Sequence, residues 1–160
     1  MHWIDATLLR AMGSESYRGG AFGWIFLVLH GLMNLGRGSI HLFKADAGAA
    51  SIAGIDLTQN GEVILSLFAV FGFGQLLMGA IDLAVGLRFR ALTPLLVGYY
   101  LIEQVATAWI LWVWRPLPLQ APGKFGAVLL VPLVALALYS ATRQRESGAP
   151  VPPPLAKAAH

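Results

Sequence analysis

Cysteine is absent from all 160 residues, which excludes disulfides, thiolate metal sites and thiol redox chemistry. Charge is scarce as well. Asp, Glu, Lys and Arg make up 12% of the chain, about half the ~25% usual in a soluble domain. Histidine is limited to four, two of which, His2 and His160, stand at the chain ends. A glycine-rich phosphate loop, a nucleophile elbow, a kinase signature and an HEXXH-type metal pair are all missing. With so little of the usual equipment, an independent small enzyme is the least favoured class. The net charge of +3 is small, and the basic residues flank apolar runs, so no nucleic-acid partner is implied.

What the chain does have is apolar residues, 57% of the total. Four runs reach the ~20 residues needed to cross ~30 Å of hydrocarbon: Ala21 to Phe43, Val63 to Leu87, Ala91 to Trp114 and Phe125 to Ala141. Asn60-Gly61, the Arg88 and Arg90 pair, and Arg115-Pro116 separate them. Pro94 falls in the first turn of the third run, where its missing N–H is harmless, whereas Pro132 inside the fourth predicts a kink. The expected fold is all-α, an integral membrane four-helix bundle spanning residues 21–142. A short amphipathic interfacial segment, residues 1–20, precedes it, and a Pro-rich cytoplasmic tail, residues 143–160, follows. No cleavable signal is apparent, so the first crossing stays in the mature chain.

Orientation follows from where Lys and Arg collect. Arg10, Arg18, Arg88, Arg90, Arg143, Arg145 and Lys157 lie on one side, against Arg37, Lys44, Arg115 and Lys124 on the other. Both termini are therefore expected in the cytoplasm. An Ala-, Gly-, Leu- and Arg-rich composition suggests a bacterial source, hence a multi-pass protein of the bacterial inner membrane. Trp109, Trp112 and Trp114 would form an aromatic belt at the outer interface. In the outer connection Asp46 is expected to cap a short helix ending at Gly54, with a second turn near Asn60.

The most informative stretch is the first run, because His30, Asn34, Arg37 and His41 recur at spacings of four, three and four. On a helix they form one stripe, which Lys44 extends. Lipid is a poor solvent for all of them, so the stripe must face protein, water or a ligand. The second run adds Gln75 and Asp82 on one face; the third adds Glu103 and Gln104, with Tyr99 offering a hydroxyl on the Glu103 face. At ~1.5 Å per residue from the cytoplasmic end, Asp82 lies ~8 Å deep, His30 ~14 Å, Glu103 ~18 Å, Asn34 ~20 Å and Arg37 ~24 Å. Matching depths pairs Glu103 with Arg37, and His30 with Asp82 or Gln75. The second run is also rich in small residues, among them Gly72, Gly74, Gly79 and Gly86, which lets helix backbones approach closely. A short echo, His30-Gly-Leu-Met-Asn-Leu against Met78-Gly-Ala-Ile-Asp-Leu, is too brief to count as a repeat.

Two readings of the polar set stand side by side. In one the groups satisfy one another and pin the helices in a single arrangement. In the other they form a polar seam that binds a quinone or a lipid headgroup, or handles protons. Haem fits poorly, since His30 and His41 lie ~16 Å apart along the axis and no other run contains a histidine. A zinc site lacks ligands at matching depth.

The layout resembles that of small four-helix DoxX-like membrane proteins. The resemblance rests on Gly19-Gly20 before the first helix, the polar end of that helix, the small-residue outer connection, the glycine-rich second helix and the short basic turns, and covers residues 19–142. Some proteins of that kind look like subunits of quinone-linked oxidoreductases, and others have no assigned activity; no site residue carries over. The expectation is an accessory or structural subunit in contact with membrane lipids and other membrane-protein subunits, or alternatively a quinone- or lipid-binding redox or proton-handling subunit.

Overall fold

A computed structural model describes residues 10, 12–13, 16–118 and 121–143; the expected amphipathic N-terminal helix and the Pro-rich tail fall largely outside them. Among the described residues the structure is all-helical, without strands, and consists of four long helices: α1 Ala21–Phe43, α2 Gly61–Leu87, α3 Thr93–Trp109 and α4 Pro122–Thr142. A 3-10 turn, Arg90–Leu92, leads into α3, and a π-helical turn, Ile110–Trp114, continues it. Pro94 and Pro122 stand in the first turns of α3 and α4, where no intrahelical donor is lost. Helix α4 runs through Pro132 to Thr142 without a break.

Three of the helical stretches, Gly61–Leu87, Arg90–Trp114 and Pro122–Thr142, are long and apolar enough to cross a membrane, which suggests a membrane protein. Helix α1 has the length but not the uniform hydropathy of the other three. Its polar residues His30 and Asn34 and its glycines Gly23, Gly31 and Gly38 form the buried face, while Leu29, Leu32 and Phe43 point outward. The other helices place large apolar side chains outside in the same way, as Val70, Leu95, Ile102 and Leu129 do. A surface of this kind is matched to lipid and not to water.

Helix α1 packs most closely on α2, and α3 on α4, with α1 also touching α4. The α1–α2 contact is set by glycines seven residues apart on each helix. A Cβ on Gly31 would stand 2.9 Å from the Gly79 carbonyl oxygen, and one on Gly79 would stand 2.8 Å from that of Gly31. One heptad along, Gly38 and Gly72 are opposed in the same reciprocal way, at 2.6 and 2.9 Å. These backbones therefore touch where any side chain would separate them, and the seven-residue period keeps the contact on one seam of an antiparallel pair. The echo in the sequence falls across this seam, with Gly31 against Gly79 and Asn34 beside Asp82.

The apolar core occupies one half of the molecule. Phe26, Leu27, Val85, Val97, Tyr100, Val134 and Ala137 are all buried near the end where α1 begins and α4 finishes. That end is closed by the Gly20 amide donating to the Ser140 carbonyl at 2.7 Å and by Tyr17 Oη donating to the Gly20 carbonyl at 2.8 Å. Arg90 lies over the Trp24 ring, 3.9 Å from its centroid, and donates from Nε to the Gly86 carbonyl at 3.0 Å, which fastens the α2–α3 turn to the start of α1.

Candidate functional site

The candidate site is a buried polar cluster centred on Asp82, whose exposure is 0%. Helix α2 presents Asp82 three residues beyond Gly79, so the glycine contact brings α1 close enough for a short carboxylate to reach across. His30 Nδ1 stands 3.0 Å from Asp82 Oδ2. Asn34, one turn further along α1, donates from Nδ2 to the same oxygen at 3.3 Å. Tyr100 on α3 donates its hydroxyl to the other oxygen, Oδ1, at 2.7 Å. Three donors from two helices thus converge on the carboxyl group of a third, and both of its oxygens are taken up.

That network assigns the histidine tautomer. A carboxylate can only accept, so Nδ1 of His30 carries the proton, and the 3.3 Å approach of Asn34 Nδ2 to Nδ1 is a contact between two donors aimed at Oδ2. The other ring nitrogen, Nε2, has no hydrogen-bond partner among the described residues. The imidazole is held flat on Phe26, ring centroids 5.4 Å apart, and edge-on against Tyr100 at 4.3 Å. With His30 and Asn34 each 7% exposed and Tyr100 2% exposed, the cluster is closed by aromatic and aliphatic walls.

The pairing of His30 with Asp82 is one of the two expected from depth, the other being with Gln75; other expectations fail. Arg37 and Glu103 form no ion pair. The Arg37 guanidinium instead lies beside Gly123 in the first turn of α4, and Glu103 is exposed on the outer side of α3. Matching heights along the axis was satisfied by both, but their directions around it differ. Tyr99 is not the hydroxyl of the cluster either: it is 51% exposed, and Tyr100, one residue and about 100° further round the helix, takes that place. The signal for Tyr100 was the buried stripe Thr93, Val97 and Tyr100 at helical spacing. His41 leaves the stripe as well: its Nδ1 bonds the Ala47 carbonyl at 2.7 Å and its ring meets Phe68 edge-on, so it secures the α1–α2 connection. Lys44 ends α1 and pairs with Asp46 at 3.5 Å.

Among the described residues two buried polar atoms have no partner: Gln75 Oε1, two turns along α2 from Asp82, and Thr93 Oγ1 in the first turn of α3. Among the described residues no three His, Asp or Glu side chains converge in a way that would hold a metal ion.

The α1–α2 connection forms the expected cap. Asp46 accepts from the Gly48 amide at 3.1 Å and the Ser51 amide at 2.8 Å. Hydrogen bonds from the Ser51 hydroxyl and amide and the Gly48 amide hold its carboxyl below the usual carboxylate range. The segment is a series of hydrogen-bonded turns in place of a regular helix, and it closes at Gly54, where φ is +70° and the Ile55 amide reaches back to the Ala49 carbonyl. Asn60, at φ 58°, makes the second turn and starts α2. At this same end Trp109 stacks on Trp114, and Trp112 Nε1 donates to the Lys124 carbonyl at 3.0 Å.

No family model, curated protein or solved structure matches this chain.

Proposed function

We propose that the protein is a small accessory subunit of a larger assembly in the bacterial inner membrane, with four crossings and both termini in the cytoplasm, and that it performs no chemistry of its own. The observation that carries this reading is the occupancy of Asp82: its two oxygens are taken up by His30, Asn34 and Tyr100, so the polarity of this cluster is spent inside the bundle. Such a set fixes which helices pack and in which rotation. The inward turn of the polar face of α1 supports a crossing by this helix too, because the face is sealed by α2, α3 and α4. Arg18, Arg88, Arg90 and Arg143 gather beside the helix ends at which α1 begins and α4 finishes, which supports that end as cytoplasmic. Native electrophoresis of the chain extracted at its natural level in mild detergent tests the proposal. Migration in a species well above 17.1 kDa is expected, and migration solely as the free chain refutes it.

A second reading, a seam that binds a quinone or lipid headgroup, is favoured by the unpartnered Gln75 Oε1 beside α1 and the free Nε2 of His30. Under that reading His30→Ala lowers the amount of quinone or lipid that copurifies with the folded protein; unchanged retention removes it.

A further inference from the structure

Glu103 lies midway along the apolar stretch Arg90–Trp114 and faces outward. One turn away on either side stand Tyr99, 51% exposed, and Thr107, half-buried, and round the helix Ile102, 74% exposed, and Trp109, 52%, flank it. Beside it Leu101, Ile102, Val105, Ala106 and Trp109 line an open apolar groove, and the small side chain of Ala106 lets another backbone come close. Among the described residues the ion pairs are His30 with Asp82 and Lys44 with Asp46, and neither includes Glu103. The charged form of a carboxyl at mid-membrane depth on a lipid-matched face is costly, and a cation laid over it lowers that cost.

We propose that this face docks a transmembrane helix of another polypeptide that carries a lysine or arginine at mid-membrane depth, the basic group meeting Glu103 and the helix body seating in the groove. This rests on the accessory-subunit reading and names the chemistry of the partner. Charge complementarity selects the occupant. A second copy of this chain does not supply it, because Arg37, the basic residue nearest that depth, lies beside Gly123 at the start of α4, and Lys44, Arg88, Arg90, Arg115, Lys124 and Arg143 stand at helix ends or in turns.

The test uses the full-length protein in phosphatidylcholine vesicles with synthetic leucine-alanine transmembrane peptides bearing lysine at the centre, leucine at the centre, or lysine two turns nearer one end. The chain has no cysteine, so a single label at Thr58→Cys, in the exposed connection, reports binding by energy transfer. The central-lysine peptide is expected to bind about tenfold more tightly than the leucine peptide, the upper end of what an interhelical polar contact contributes in a bilayer. Glu103→Gln is expected to abolish that preference, Glu103→Asp to keep most of it, and the displaced lysine to lose it. Equal binding of the lysine and leucine peptides, or a lysine preference that survives in Glu103→Gln, overturns the proposal. So does Glu103-dependent self-association without peptide binding, which would make the occupant a second copy. Retained helical signal and unfolding midpoint confirm that each variant is folded. Migration as a free chain removes the accessory-subunit reading whatever the peptides do; Glu103-independent docking within an intact native complex removes this inference alone.

Discussion

Replacing Asp82 by alanine tests the central packing argument most directly. The substitution removes the acceptor shared by His30, Asn34 and Tyr100, leaving three buried donors and a small void at a position with 0% exposure. Removing one partner of a buried charged pair costs about 3–5 kcal/mol in soluble proteins. Single interhelical hydrogen bonds in bilayers contribute about 0.6 kcal/mol on average and up to about 1.7. Because three such bonds are lost together and three buried donors are left without an acceptor, a loss of about 3 kcal/mol is expected for Asp82→Ala. Tyr100→Phe removes only the 2.7 Å bond to Oδ1 and keeps the ring packed on His30, so about 1–1.5 kcal/mol is expected. The double variant should cost little more than Asp82→Ala alone, because without the carboxylate the tyrosine hydroxyl has nothing to donate to. Glu103→Gln, at an exposed position, should change stability by less than about 0.5 kcal/mol. Reversible unfolding in mixed micelles with no ligand added measures all four. If Asp82→Ala costs less than about 1 kcal/mol, or if it adds fully to Tyr100→Phe, the cluster does not hold the helices and the argument fails.

The glycine seam makes a second set of predictions. Gly31→Ala, whose new methyl would stand 2.9 Å from the Gly79 carbonyl oxygen and from Asp82 Cβ, should cost about 1–3 kcal/mol in the same titration. Gly36→Ala, with nothing within 4 Å, should be neutral or stabilising by up to about 1 kcal/mol from helix propensity alone. Equal effects at the two positions would mean that the backbones are not in contact. The Asp46 turn should respond to acid in a defined direction. Its carboxyl is depressed in the folded state, so its contribution is fully present above the unfolded value of about 3.9 and is lost as pH falls through the lower folded value. Amide exchange at Gly48 and Ser51 should therefore show the same protection at pH 7 and pH 5, after correction for intrinsic rates, and lose it only below about pH 4; loss between pH 7 and 5 would contradict the capping geometry.

Helix positions were readable from the sequence because hydrophobic length, proline and the arginine pair at 88 and 90 each act locally. The inward direction of His30 and Asn34 was readable too, since their four-residue spacing places them on one face that lipid cannot solvate. The partners were harder. Counting residues along an axis gives height, and height alone admitted both the correct pair, His30 with Asp82, and the incorrect one, Arg37 with Glu103. What separates them is the rotation of each helix about its own axis, a quantity that a list of polar residues does not contain. For α1 and α2 the rotation is set by Gly31 against Gly79 and Gly38 against Gly72: once those backbones touch, His30 and Asp82 are carried to the same side of the seam and Arg37 is carried past it toward α4. For α3 it is set by Thr93 and Val97, whose burial turns Tyr100 inward and leaves Tyr99 and Glu103 outside. The small residues therefore decide which polar groups meet. The glycine spacing, seven residues on both helices, was visible in the sequence, and read as a contact register it would have selected Asp82 over Glu103 as the carboxylate of the interior.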